Sequence, residues 1–160
     1  MDADDLLSDL VVSLDRDLEL LAVLRYRLIV LAALAAADQG SSIPSAVREI
    51  EMAYEALRLE ELVRSSAMMM VSDHFEVDPA VRLDELATHT SEGWSEILLE
   101  RRRNLIETVT AIQSLANTVS AAMGRRAALA DEALSFLRTD QSGTYGRSAP
   151  RGGVLVDGAL

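Results

Sequence analysis

Apolar residues recur with helical spacing along the first 37 residues. One series of leucines recurs every seven residues, Leu7, Leu14, Leu21 and Leu28, and a second series fills the positions between them, Leu10, Leu18, Leu24 and Leu31. Two interleaved series of this kind are typical of the a and d positions of a coiled-coil or bundle seam. The pattern therefore predicts a first helix from about Ala3 to Ala37.

A second helix is predicted to have Ser42 or Ile43 as its cap, because Pro44 suits the first turn, and to continue to about Ser72. We expect four residues to form its inner face: Val47, Ile50, Tyr54 and Leu57. Later apolar residues move the stripe around the helix and indicate a change of packing partner: Leu59, Leu62 and Val63. The run Met68-Met69-Met70 is interpreted as adaptable core filling, with a methionine-rich binding surface as the alternative.

Two more helices follow. A short one is predicted at about Pro79 to Thr88, with Asp78 as its cap. A long one is predicted from Ser91 to Leu137, and its apolar residues repeat by sevens: Leu98, Leu105, Ile112 and Val119. At about 1.5 Å per residue this helix would be roughly 70 Å long, so we expect it to extend beyond its neighbours.

Helical periodicity stops after Leu137. The last 23 residues contain five of the eight glycines and little apolar content, too little to offset the entropy of ordering. The predicted organisation is a helical domain at residues 1–137 and a disordered tail at residues 138–160.

The composition supports a helical fold. Of the 160 residues 49% are hydrophobic but only 4% are aromatic, and good helix formers dominate. The fold class predicted is all-α: an elongated antiparallel helical bundle or coiled coil with three long or medium helices, one short helix and a disordered C-terminal tail. The absence of cysteine excludes disulfides and thiolate metal sites.

Charge narrows the classes of partner. The net charge is −11, and residues 1–78 alone carry 16 acids against 6 arginines, a balance of −10. Because phosphate binding requires clustered positive charge, nucleic acid is not expected as a partner. Acidic residues stand where a signal peptide needs basic ones, and no apolar run is long enough to span a bilayer, so we expect a cytoplasmic protein without membrane insertion.

No catalytic or metal-binding motif is found. Di-iron bundles need Glu-x-x-His on two helices, and neither His74 nor His89 has a glutamate three residues before it. Phosphate-binding and nucleophile-elbow motifs are also absent from the sequence. We interpret the run Arg101-Arg102-Arg103 as a solvated face. The expectation is a binding protein that is not an enzyme and has no cofactor and no metal.

Several segments, taken in order, resemble the FlgN family of flagellar export chaperones. They follow a long acidic N-terminal helix and are Glu51-Met52-Ala53-Tyr54-Glu55-Ala56-Leu57-Arg58, Asp78-Pro79-Ala80-Val81-Arg82-Leu83-Asp84-Glu85-Leu86, Glu92-Gly93-Trp94-Ser95-Glu96, Ala133-Leu134-Ser135-Phe136-Leu137 and Thr144-Tyr145-Gly146-Arg147. Together with the N-terminal helix they are spread over most of the chain, and their order carries the resemblance.

The resemblance implies a function in flagellar type III export. Members of the family bind C-terminal helices of the hook-filament junction proteins, the FlgK and FlgL type, and deliver them to the export gate. The Tyr-Gly step at Tyr145 matches the one that the family uses for the gate component FlhA. The last helix departs from the family, since Asn117 is followed by Met123-Gly124 and not by a leucine pair.

The surplus apolar stripe of the long helix is the predicted cargo surface, since helix-in-groove recognition uses such a stripe. Its residues are Leu105, Val109, Ile112, Ala116, Val119 and Met123. The alternative is that these residues bury against the first two helices. A structural coiled coil or homodimerisation module would use the same stripe for self-association.

Overall fold

The computed structural model describes residues 2–37 and 39–142, without the side chains of residues 130 and 133–142. In this part of the chain all regular structure is helical, which confirms the all-α prediction. There are three long helices and a short one: α1 at Ala3–Ala36, α2 at Ile43–His74, α3 at Leu83–Ala87 and α4 at Glu92–Ser142. A 3-10 turn at Gly40–Ser42 joins the first two.

The helices α1 and α2 pack side by side in opposite directions. Arg27 forms an ion pair with Glu49 near one end, and Arg64 forms one with Asp17, at 2.8 Å, farther along. The predicted seam of α1 is confirmed, because six of its eight leucines are buried: Leu7, Leu10, Leu14, Leu24, Leu28 and Leu31. This antiparallel pair is the framework on which the remaining helices pack.

Up to Met123, α4 runs alongside α1 in the same direction. The Trp94 ring nitrogen donates a hydrogen bond of 2.7 Å to Asp4, and Arg101 forms an ion pair of 2.5 Å with Asp15. Because α2 runs back along α1, the loop and α3 that follow it lie at the N-terminal end of α1, and α4 starts there.

The apolar core is divided into two clusters. The first core cluster comprises Leu6, Leu7, Leu10, Leu14, Ala67, Val71, Leu86, Ala87 and Leu98. The second core cluster comprises Leu24, Leu28, Leu31, Ala46, Ile50, Ala53, Ile112 and Val119. Between them along α1 lie Asp15 and Asp17, each paired with an arginine of another helix. A polar layer therefore separates two hydrophobic ends.

The inner face of α2 differs from the prediction at one residue. Ile50 is buried, and Val47 and Leu57 pack against the second core cluster, but Tyr54 is 47% exposed. Ala53 takes the inward position instead. The small side chains of Ala46 and Ala53 make the seam at this end, so the larger ring turns outward.

The short helix is shorter than predicted. Residues 79 and 80 form a turn, in which the Asp78 carboxylate accepts a hydrogen bond from Ala80 N–H. Arg82 has an extended backbone, so helical geometry begins only at Leu83. The long helix α4 continues to Ser142, five residues beyond the predicted end at Leu137, and no glycine or proline lies between Leu137 and Gly143.

The end of α2 is a Schellman motif made without glycine. Glu76 adopts a left-handed φ of 54°, and the N–H groups of Glu76 and Val77 donate to the carbonyls of Asp73 and Ser72. This motif usually places glycine at the left-handed position. Val77 packs against the first core cluster, which fixes the direction in which the chain leaves α2.

The chain divides into two compact units, residues 1–123 and residues 124–160. The first contains both core clusters. In the second, residues 124–142 form the last part of α4, where Leu129 is exposed. The predicted disordered tail lies outside the described residues from Gly143 onward.

Candidate functional site

The six residues predicted as the cargo surface share one side of α4, and most of them face the bundle. Five pack in or against the core clusters: Leu105, Ile112, Ala116, Val119 and Met123. Val109 is 38% exposed. A cargo-binding role for the five stays a prediction, and it requires that α4 separate from α1 and α2 before a partner can reach them.

Tyr145, predicted to bind the export gate, lies outside the described residues. The arginine run of α4, which is described, differs from its interpretation as a solvated face. Arg101 pairs with Asp15 of α1, Arg102 lies 3.4 Å from Asp84, and Arg103 is exposed. Two of the three guanidinium groups thus hold α4 against its neighbours.

The side of the α1–α2 pair that α4 packs on is here named the covered groove. Its floor is Leu10 and Leu14 of α1 with Met68 of α2, and Leu105 of α4 packs against it. A cavity of about 520 Å³ remains under the turn at residues 79–83. Apolar side chains form most of its wall, and guanidinium groups stand at its rim: Arg64, Arg82 and Arg102.

Asp84 holds this rim together. Its carboxylate accepts two hydrogen bonds from Arg82, at 3.1 and 2.9 Å, and faces Arg102 of α4. Desolvation raises the pKa of Asp84, but the hydrogen bonds from Arg82 and the charge of Arg102 outweigh it, so the pKa lies below its usual value. Every arginine at the rim is therefore matched by a carboxylate, since Arg64 pairs with Asp17.

The opposite side of the α1–α2 pair is here named the open groove. It is lined by Asp9, Val12, Ser13 and Arg16 of α1 and by Glu60, Leu62, Val63, Ser66, Ala67 and Met70 of α2. Its volume is about 660 Å³. The apolar side chains are well exposed, at 64% for Val12, 69% for Leu62 and 56% for Val63. No other helix among the described residues lines this groove.

The apolar stripe continues beyond the groove along α2. Its residues at helical spacing there are Met52, Ala56, Leu59, Val63, Ser66 and Met70. On the matching face of α1, Val12 is separated from Val23 and Tyr26 by the ion pair of Arg16 with Glu19. Met52, Leu59, Val23 and Tyr26 are all exposed. From Met52 to Met70 the stripe spans about 27 Å of helix at ~1.5 Å per residue. It is long enough to seat five turns of another helix.

Negative charge borders the open groove. Among the described residues Asp9 has no ion-pair partner, and Glu60 only accepts a hydrogen bond of 3.4 Å from Ser13. Arg16 lines the groove but pairs with Glu19. One turn away, burial raises the pKa of Asp17; Arg64 lowers it, and the charges of Glu60 and Glu61 raise it further. The potential at this edge is therefore negative.

Sequence reasoning missed the open groove, although one observation pointed to it. The displacement of Leu59, Leu62 and Val63 from the inner stripe of α2 indicated a second packing face. The methionine run serves both faces, since Met68 packs against the first core cluster while Met69 and Met70 are exposed.

The described part of the chain contains no cluster of three or more histidine, aspartate or glutamate side chains that could hold a metal ion. None of its helices combines the length and the hydropathy needed to cross a bilayer.

Comparison with known proteins identifies no relative. The chain matches no family model, no curated protein and no solved structure.

Proposed function

We propose that this protein is a cytoplasmic export chaperone that binds C-terminal helices of hook-filament junction proteins, the FlgK and FlgL type, and delivers them to the flagellar type III export gate. The proposal combines a geometric observation with the resemblance to the FlgN family. The geometry supports helix binding, and the resemblance supplies the identity of the partner and the destination.

The observation that carries the proposal is the apolar groove left open on a helical pair. Helix-in-groove recognition requires an apolar channel that presents side chains at helical spacing. Val12, Val63 and Met70 provide such a channel on the α1–α2 pair. A solvent-facing stripe that extends over five turns exceeds the scattered apolar exposure of ordinary surfaces.

Delivery to the gate is assigned to Tyr145 on the basis of the resemblance. An aromatic residue in a segment too poor in apolar content to fold can act as an anchor that orders on binding. In this proposal the helical part of the chain holds cargo, and Tyr145 contacts the export gate component FlhA.

The competing function is a structural coiled coil or homodimerisation module. The open groove gives this function some support, because a second copy of the chain carries the same apolar stripe and would cover the groove in a dimer. Such a dimer would bring together two surfaces of the same charge, because residues 1–78 carry −10 in each copy. Like charges face each other across that interface, which weighs against it.

Co-purification tests the proposal directly. The full chain is mixed with C-terminal segments of FlgK-type and FlgL-type proteins, and we expect a complex that survives size-exclusion chromatography. Because apolar burial drives the contact, its formation should show a negative heat-capacity change and weaken only modestly at high salt. If neither segment binds and the chain alone elutes as a dimer, the competing function is correct.

A second arm of this experiment concerns the gate. Tyr145→Ala should leave cargo binding and the melting temperature unchanged but weaken binding to the cytoplasmic part of FlhA. Tyr54→Ala is the matched control, because Tyr54 is exposed on α2 and points away from the open groove. Equal gate binding by both variants would remove Tyr145 from the mechanism.

A further inference from the structure

The α1–α2 pair has two apolar sides, and one of them shows what kind of helix it accepts. On the covered groove, α4 places Leu98, Leu105 and Ile112 toward the two core clusters. At the edge of that contact Arg101 forms an ion pair with Asp15 of α1. The occupant of the covered groove is thus an amphipathic helix whose apolar stripe is bordered by arginine.

The open groove has the same chemistry without such an occupant. Val12 and Val63 form apolar walls, as Val11 and Met68 do on the other side. Asp9, Glu60 and Arg16 also line this groove, and Arg16 is paired with Glu19. Asp9 and Glu60 are therefore the carboxylates left to face an occupant, as Asp15 faces Arg101 on the covered side. Neither of them faces a cation within ion-pair distance in the described part of the chain.

We propose that the open groove is the seat of the partner helix, and that this helix is amphipathic with lysine or arginine beside its apolar stripe, positioned to face Asp9 and Glu60. The inference rests on the proposed function for the identity of the natural partner, a junction-protein helix. It moves the cargo surface from the α4 stripe, which packs in the core, to the surface between α1 and α2.

The negative charge of the groove distinguishes between two possible occupants, a second copy of the chain and a helix with basic borders. A second copy of the chain would bring another strongly acidic surface to Asp9 and Glu60, and like charges directly opposed are unfavourable. A helix with basic borders neutralises both carboxylates and buries the stripe at the same time. Its contact spans about 18 residues if it follows the stripe from Met52 to Met70, at ~1.5 Å per residue.

The test compares two exposed valines with the same substitution. Val63→Glu places a charge in the open groove, and Val109→Glu places one on the exposed part of the predicted α4 stripe. Both variants should keep the helical circular dichroism of the wild type. We expect Val63→Glu to weaken binding of the junction-protein segment at least tenfold and Val109→Glu to leave it within twofold. The opposite ranking, or equal binding by both variants, overturns the inference.

Designed peptides separate this inference from the proposed function. One helical peptide carries leucine at a and d positions with lysine beside them, and a second carries glutamate in place of lysine. The full chain should bind the lysine peptide at least tenfold more tightly, and Asp9→Asn should reduce that preference. If the lysine peptide binds but no junction-protein segment does, the proposed function fails while the groove assignment stands. If the segments bind wild type and Val63→Glu equally, the groove assignment fails alone.

Photo-crosslinking identifies the occupant. A benzoylphenylalanine placed at position 63 of the full chain should crosslink to the lysine peptide when it is present. The inference is overturned if position 63 still crosslinks to a second copy, or to residues 143–160 of the same chain, at saturating peptide. Such crosslinks would show that the groove has a different occupant. Absence of a peptide crosslink would also overturn the inference.

Discussion

Both sides of the α1–α2 pair carry apolar residues, but α4 covers only one of them. On the covered groove Leu105 of α4 closes over Leu10 and Leu14, whereas on the open groove Val12 and Val63 face solvent. Each helix of the pair has more apolar surface than one neighbour can bury. The fold covers one side by itself and leaves the other exposed to solvent, so the same substitution should have a large effect on stability on one side and a small effect on the other.

The largest effect is expected on the covered side. Ile112→Glu places a carboxylate in the second core cluster, where Ile112 is 6% exposed, and should lower the free energy of unfolding by about 4 kcal/mol or more. Urea unfolding followed by circular dichroism measures it. Val109→Glu, one turn earlier on α4, should cost less than about 1 kcal/mol. If Ile112→Glu keeps wild-type stability but abolishes cargo binding, this face of α4 is a binding surface.

The contact between α1 and α2, which lies between the two grooves, should make the stability of the protein depend on pH. Burial raises the pKa of Asp17, so its folded pKa lies above its unfolded value and folding favours the protonated form. The stability that this group contributes is present at acidic pH and is lost as pH rises through the folded pKa. The urea midpoint of Asp17→Asn, taken relative to that of wild type at the same pH, should therefore rise from acidic to neutral pH. Parallel curves for the two proteins would contradict this.

The stability of the protein should also depend on the left-handed turn at the end of α2. Glu76 holds a left-handed backbone that costs a non-glycine residue about 1 kcal/mol, so Glu76→Gly should stabilise the chain by up to about that amount. Thermal unfolding measures the shift. Glu51→Gly, at an exposed position inside α2, should instead destabilise by about 1 kcal/mol. Loss of stability in both variants would contradict this prediction. It would show that a contact of the Glu76 side chain stabilises the protein by more than the left-handed backbone costs.

The smallest effect on stability is expected in the open groove. Val63→Glu should change the free energy of unfolding by no more than about 0.5 kcal/mol, because its side chain is already in water. Val71→Glu is the matched control, since Val71 lies on the buried side of α2 at 0% exposure and should unfold the protein. A large loss in Val63→Glu would mean that the groove is covered in solution.

Much of the fold could be predicted from local pattern. The leucine series of α1 specified its seam, and Pro44 marked the start of α2, because both depend on residues close in sequence. Tyr54 was assigned wrongly to the inner face. Its helical spacing from Ile50 and Leu57 suggested burial, but the small side chain of Ala53 lets the helices approach. Which of two adjacent residues turns inward depends on the partner helix.

The candidate site could be predicted only in part. The drift of Leu59, Leu62 and Val63 indicated a second face on α2, but not which face α4 would take. That choice depends on a left-handed turn at Glu76, a residue type that gives no hint of it, and on the pairing of Asp15 with Arg101, which lie 86 positions apart. Neither can be inferred from periodicity.

The distance along the chain between α1 and α4 also sets an order of assembly. The α1–α2 hairpin closes a short loop at residues 37–42, whereas the contacts of Trp94 with Asp4 and of Arg101 with Asp15 join segments 90 and 86 residues apart. Loop closure entropy and contact order favour the hairpin first. We therefore expect pulse-labelling hydrogen exchange during refolding to protect α1 and α2 before α4. Until α4 arrives, the hairpin presents two apolar grooves to its surroundings, and a partner helix that reaches it early competes with the chain's own.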